Sequence, residues 1–230
     1  MKLKYMLAAG MMAAMTTGCN ESSFLDLKPQ GALNEDLLNS KEGIELLITS
    51  AYSALQGPNR DMMWVPMTNW TYGEVRSDNA YKGGSSITDG GDINQMETFV
   101  IDATWGNADS KWYQLYCCLQ RANEALRILN TMSEADMPEL TVRKAEMKVI
   151  RAHFYFELCR LFKQIPYLDE TIDQETYKNI PNNQFSREEI LDKIATDLLE
   201  AAKILPPRQS EIGRINQYIC LLYTSPSPRD

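Results

Sequence analysis

Residues 144–162 read KAEMKVIRAHFYFELCRLF, and this stretch decides the fold. Ala145, Val149, Ala152, Phe156 and Cys159 recur at spacings of three and four, one stripe of an α-helix. Ile150, Phe154, Leu158 and Leu161 form a second stripe. Apolar residues on two faces require burial on both sides, as for a helix inside a stack. The spacing predicts a helix over about 141–163, ended by Ile165-Pro166-Tyr167.

Working outward, the same period recurs on both sides. Upstream, Trp112, Leu115, Leu119, Ala122, Leu126 and Leu129 predict a helix near 109–131, with a Pro138 linker after it. Further upstream, Ile44, Leu47, Ile48, Ala51, Tyr52 and Leu55 predict one near 41–56, stopped by Gly57-Pro58. Downstream, residues 168–185 are polar loop with Pro181. Ser186-Arg-Glu-Glu189 then spells a capping box, in which the Ser hydroxyl and the Glu carboxylate each take the other's backbone N–H. The helix it opens carries Ile190, Ile194, Leu198, Ala201 and Leu205, and Pro206-Pro207 stops it. Residues 213–218 read as the start of another helix. Strand signals are weak, the best lying around 96–101. The expectation is an all-α helical repeat stack, with Ala145, Ala152, Ala201 and Ala202 where backbones approach closely.

One stretch breaks the period. Residues 58–107 form a long irregular loop insertion, and with Gly57 they hold seven of the twelve Gly and three of the four Trp. A loop of that length inside a compact domain is uncommon and usually functional.

The chain has 230 residues, net charge -8, one His and five Cys. At 44% hydrophobic it has ample apolar material to bury, which excludes a disordered chain. An acidic chain repels phosphates, so no nucleic-acid partner is expected. One His and no Cys-x-x-Cys pair argue against zinc and triad chemistry, and neither a metal nor a cofactor is expected.

The two ends differ from the body. Lys2 and Lys4 precede an apolar run from Met6 to Met15, too short to span a bilayer but suited to a secretory signal. Thr17-Gly18-Cys19 then resembles a bacterial lipobox, so residues 1–18 are expected to be removed and Cys19 to carry lipid. Losing Lys2 and Lys4 moves the net charge from -8 to -10. At the other end, residues 219–230 read ICLLYTSPSPRD, where Pro226 and Pro228 cannot continue a helix. This string resembles translated sequencing-adapter readthrough. The expectation is a non-native tail on a domain truncated at its C-terminus.

Several ordered motifs now carry a resemblance. Trp112-Tyr-x-x-Tyr116 with Arg121-Ala-Asn-Glu124, the 144–162 helix with Ile165-Pro166, and residues 190–202 with Leu205-Pro206 are similar to successive motifs of the SusD/RagB family. Gly213-Arg-Ile-Asn-Gln-Tyr218, Phe24-Leu-Asp26 and Arg76-Ser-Asp78 fit it too. The resemblance covers residues 1–218 and departs at Ile219, making residues 19–218 the N-terminal helical region of a longer protein. It implies a tetratricopeptide-like helical repeat stack in a non-enzymatic outer-membrane lipoprotein, exposed at the cell surface, which captures oligosaccharides or other nutrients. It also implies a partner, a SusC-like TonB-dependent transporter that receives them. A helical-repeat scaffold that binds proteins and no glycan is the alternative.

Glycan capture needs flat apolar faces for C–H surfaces and amides, carboxylates or Arg for hydroxyls. The loop supplies Trp64, Trp70, Tyr72, Tyr81 and Trp105 with Asn69, Arg76, Asp78, Asn79 and Asn107. Trp105-Gly-Asn107 is the best local candidate, with Arg76 as a hydroxyl partner and Trp70, Tyr81 and Asp78 behind them. Large aromatics are mostly buried, so packing of the loop onto the helices is the first expectation for any single one. Trp112 lies on a helix stripe and reads as core. Asp89-Gly-Gly-Asp92-Ile-Asn94 lacks EF-hand spacing and reads as a solvated turn. His153 lies in the signature helix beside Arg151, no sequence motif pairs a nucleophile with it, and it reads as a packing residue. Cys117 and Cys118 are poorly placed to bond each other. Glu188-Glu189 and Asp169-Glu170 belong to a helix start and a loop, so no glycosidase dyad is read from them.

Overall fold

The computed structural model describes residues 40–56, 69–77 and 79–224. Cys19, Trp64 and Asp78 lie outside them. Six α-helices are described: α1 (Lys41–Ala54), α2 (Gly91–Glu97), α3 (Gly106–Leu129), α4 (Leu140–Leu161), α5 (Arg187–Ile204) and α6 (Gln217–Thr224). A π-helix covers Trp70–Val75 and a 3₁₀ helix covers Gln174–Asn179. No strand occurs among the described residues. Where 96–101 offered the best strand signal, α2 ends at Glu97, Thr98 closes it and Phe99 takes a left-handed conformation.

The helices stack in chain order. α1 packs on α3, α3 on α4, α4 on α5 and α5 on α6, while α1 also touches α4. This stack is why 144–162 is apolar on two sides. Phe154, Tyr155 and Leu158 are each at most 1% exposed, and Ile150 is fully buried. Each such side chain contributes about 1.5–3 kcal/mol by leaving water. Ser40 caps α1 by accepting from the Gly43 N–H at 3.0 Å. Both halves of the Ser186–Glu189 capping box form, at 3.2 and 2.7 Å. The helix opening read at 213–218 begins at Gln217 and runs to Thr224. It passes through residues that the sequence reading sets apart as a tail, and Cys220 joins the core.

The buried polar groups of α4 are paired. Arg151 donates from Nε and Nη2 to the two carboxylate oxygens of Asp197 on α5, at 2.8 and 2.9 Å, and from Nη1 to Glu170. Glu146 is fully buried, and burial raises its carboxyl. Arg143, Gln209 and Arg214 donate to it at 3.0, 2.7 and 3.3 Å and pull the other way. Arg143 and Arg214 also reach Glu45, so one network ties α1, α4 and the turn before α6.

The segment that leaves α4 is pinned by the motif residues. Tyr116 donates to the Pro166 carbonyl at 2.8 Å, and Asn123 Nδ2 to the Leu168 carbonyl at 2.8 Å. The Tyr155 hydroxyl donates to that same carbonyl at 2.7 Å and accepts from the Leu168 N–H at 2.5 Å. Trp112 is partly buried against the core, edge-on to Phe162 at 4.9 Å, as its stripe predicts. Cys117, Cys118 and Cys159 are free thiols.

Candidate functional site

The expected irregular loop is partly built. A π-helix is rare and often marks a functional site. Here it presents Val75 to Ile93 of α2, with Tyr72 and Ala80 packed around them, as a small core apart from the main one. Two contacts fasten this unit to α3. Tyr72 donates to the Asn107 carbonyl at 3.0 Å, and Lys111 Nζ donates to Asn69 Oδ1 at 3.3 Å. Lys111 is 1% exposed, and burial pushes its ammonium down to about 8 while Glu157 opposes. Where a turn was expected over Asp89–Asn94, residues 91–94 instead open α2, and the loop before it is closed by an internal cation. Lys82 Nζ donates to the carbonyls of Gly83, Ser86 and Asp89 at 2.9, 2.9 and 2.6 Å.

Between α2 and the start of α3 lies a cavity of about 350 Å³. Trp105 and Asn107 form one wall, with Gly106 between them. Asp92 and Gln95 come from α2, and Asp102 and Thr104 from the connecting turn. Val100 and Ile101 supply the apolar part. Asn107 Nδ2 donates to Asp92 Oδ2 at 3.2 Å across the cavity. Asp102 Oδ1 accepts from the Thr104 hydroxyl and N–H at 2.6 and 2.7 Å, which holds its carboxyl below the usual range.

Trp105 is 9% exposed, and its ring meets Tyr72 edge-on at 6.0 Å. The packing expectation is therefore met. Yet its indole N–H is buried with no hydrogen-bond partner among the described residues. Buried indole N–H groups usually find an acceptor. Trp105 both packs the loop and carries an unused donor beside the cavity.

Phe99 has φ 59, a left-handed conformation that strains a large side chain by about 1–3 kcal/mol. The turn it makes carries the chain from α2 into Val100 and Ile101. The Arg76 guanidinium lies over the Phe99 ring at 4.5 Å and also donates to Met96 Sδ at 3.6 Å. Phe99 and Val100 are 57% and 69% exposed, an unusual amount of apolar surface on adjacent residues.

The structure thus brings Trp105 and Asn107 together. Arg76 braces Phe99 beside the cavity and does not line it. Trp70 sits 38% exposed on the π-helix, and Tyr81 is 73% exposed; neither lines the cavity. Sequence reasoning missed Gln95, Asp102 and Thr104, and it read Asp92 only as a turn residue. The Asp102-Ala-Thr104 spacing was the available signal, since Asp commonly accepts from the residue two positions on.

Comparison with known proteins follows the same lines. A family model described as starch-binding and associating with the outer membrane, SusD-like, matches residues 23–217. A SusD-like protein P2 of Formosa agariphila is 23% identical over 90% of this chain and 39% of its own length. A SusD-like protein of Bacteroides ovatus is 24% identical over 95% of this chain and 37% of its own. The chain therefore spans about two fifths of the length of these relatives. Among solved structures, a laminarin binding SusD-like protein superposes with TM-score 0.65 at 25% identity, over 77% of this chain and 37% of that one. A SusD homolog from Bacteroides thetaiotaomicron gives TM-score 0.65 at 21% identity, over 84% and 37%. With the family model matched over residues 23–217, most of its length, the chain belongs to the SusD-like family.

Proposed function

We propose that this chain captures oligosaccharides at the bacterial surface and delivers them to a SusC-like TonB-dependent transporter. In this reading residues 1–18 are a signal peptide and Cys19 anchors the protein to the outer membrane by lipid. The observation that carries the glycan reading is the unused Trp105 N–H beside the cavity. A sugar hydroxyl accepts from that donor. The carboxylates of Asp92 and Asp102 and the amide carbonyl of Gln95 accept from neighbouring hydroxyls, while Val100 and Ile101 face the sugar's C–H surface. The laminarin binding relative makes laminarin the first glycan to try. Among the described residues no helix is long and apolar enough to cross a membrane, which suits attachment through a lipid.

Calorimetry against a panel of neutral glycans tests the reading. Trp105→Phe keeps an aromatic ring in the packing and removes the N–H. The expected loss is about tenfold in affinity, the worth of one hydrogen bond at about 1–1.5 kcal/mol. Unchanged affinity would overturn the site, and a panel without any binder would overturn glycan capture. Pull-down should recover a TonB-dependent transporter; recovery of soluble periplasmic partners alone rejects delivery. Cys19→Ala should lose partition into detergent, and retained partition rejects the anchor.

A further inference from the structure

A second cavity, of about 480 Å³, lies elsewhere on the stack, between α3 and the segment that follows α4. Gln120, Asn123, Glu124 and Arg127 line it from one face of α3, at helical spacings of three and four. Glu170, Asp173, Glu175 and Tyr177 line it from the other side. Tyr177 and Gln120 hydrogen-bond across one end.

Its chemistry is one-sided. Asn123 is 1% exposed, and its Nδ2 is committed to the Leu168 carbonyl at 2.8 Å. That bond fixes the amide orientation and leaves Oδ1 as a pure acceptor. Asn123 Oδ1 is buried with no hydrogen-bond partner among the described residues. An orphaned buried acceptor costs about 1–3 kcal/mol, so a cavity lined by one is poised for a donor. Four carboxylates share this lining with one guanidinium, that of Arg127. Arg127 is held on Glu124 through Nε and Nη2, at 3.1 and 2.5 Å. Glu170 is engaged by Arg151, and Asp173 Oδ1 takes the Glu175 N–H at 3.2 Å. With Arg127 held on Glu124, the lining keeps an excess of acceptors over donors beside a half-buried aromatic ring.

We propose that this cavity binds a ligand bearing a protonated primary amine. The ammonium brings three N–H donors and no acceptor, the complement of this lining. One N–H goes to Asn123 Oδ1, the Glu175 side supplies countercharge, and the Tyr177 ring adds cation–π attraction. The volume lies in the range of small-molecule sites. The proposal is independent of the Trp105 cavity.

Titration of the full chain, followed by calorimetry, uses three probes. Glucosamine carries the amine on a sugar ring, and Nα-acetyl-lysine amide carries it on a side chain. N-acetylglucosamine is the uncharged control. Saturable binding of either amine, with none of the control, is expected, weakening several-fold as salt rises. The tighter of the two amines identifies whether the natural source is an amino sugar or a lysyl group. Glu175→Gln changes an exposed residue, so folding is spared; amine affinity should fall several-fold with an unchanged melting temperature. Equal binding of N-acetylglucosamine overturns the proposal. So does absence of saturation by either amine below about 10 mM, or Glu175→Gln without effect.

Discussion

Tyr155→Phe removes one oxygen and leaves the ring stacked on Tyr167, whose centroid lies 4.6 Å away. Burial holds the Tyr155 phenol well above its ordinary range, so the hydroxyl remains a donor at any working pH. It serves both sides of one residue, the Leu168 carbonyl at 2.7 Å and the Leu168 N–H at 2.5 Å. In the variant the carbonyl keeps Asn123 Nδ2 at 2.8 Å, while the N–H loses its acceptor. Leu168 is 7% exposed, so water replaces that acceptor poorly. An unsatisfied buried N–H costs about 1–3 kcal/mol, and the expected destabilisation is about 2 kcal/mol. For a chain of this size that lowers the melting temperature by about 4–8 °C.

Urea unfolding should show a lower midpoint at unchanged slope. Hydrogen exchange adds a local readout, because the Leu168 amide should exchange faster than its neighbours on α4. Tyr113→Phe is the control. Tyr113 is 59% exposed, and its variant should stay within about 0.5 kcal/mol of wild type. If Tyr155→Phe also stayed within about 0.5 kcal/mol, the claim that this hydroxyl pins the segment would be wrong.

Two further outcomes follow from the buried polar groups of α4. Arg151→Met should destabilise by about 3–5 kcal/mol, because it strands the Asp197 and Glu170 carboxylates in a buried place. Arg151→Met with Asp197→Leu and Glu170→Gln should recover most of that loss in the same urea assay, and failure to recover would show that packing, not charge, is at stake. His153 is held below its ordinary range, chiefly by burial, with Lys111 and Arg160 adding to the effect and Glu157 opposing it. The unfolded chain therefore takes a proton near pH 6.5 that the folded chain takes only lower. Stability from the neutral imidazole is complete above about pH 6.5 and is lost as pH falls through the folded value. The slope is at most about 1.4 kcal/mol per pH unit. His153→Gln should flatten the stability profile below pH 6.5, and a profile unchanged by the substitution would refute this.

The helices were legible because each buries a stripe that repeats over three or more turns. The stripes at 44–55, 115–129, 145–161 and 190–205 fall on described helices, with Leu55 and Leu205 as C-caps, and the Ser186–Glu189 box forms as spelled. The π-helix and α2 were not legible. Six and seven residues are too few to show a period, and both are held by contacts distant in sequence, Val75 with Ile93 and Asn69 with Lys111. Candidate residues were legible by type, as with Trp105 and Asn107, but the use of a polar group depends on neighbours that sequence does not name. Arg76, for example, braces Phe99 and Met96, contacts its sequence neighbours do not name.

The resemblance and the candidate site rest on different residues, and this separation has a physical cause. Tyr116, Asn123, Arg151 and Tyr155 all belong to motifs that mark the family. Their side chains pin the segment from Pro166 to Glu170 onto α3 and α4. Arg121 ties α3 to α1 through the Ser50 carbonyl and the Ser53 hydroxyl, at 3.3 and 3.2 Å. A scaffold built on buried polar pairs tolerates little change, since losing one partner strands the other. None of those motifs lies between residues 91 and 107, where the Trp105 cavity is formed. Asp92, Gln95 and Asp102 line that cavity from exposed or turn positions, and their replacement strands no buried group. The stack can therefore stay constant while this segment varies, and under the proposed function it is this segment that would set ligand preference.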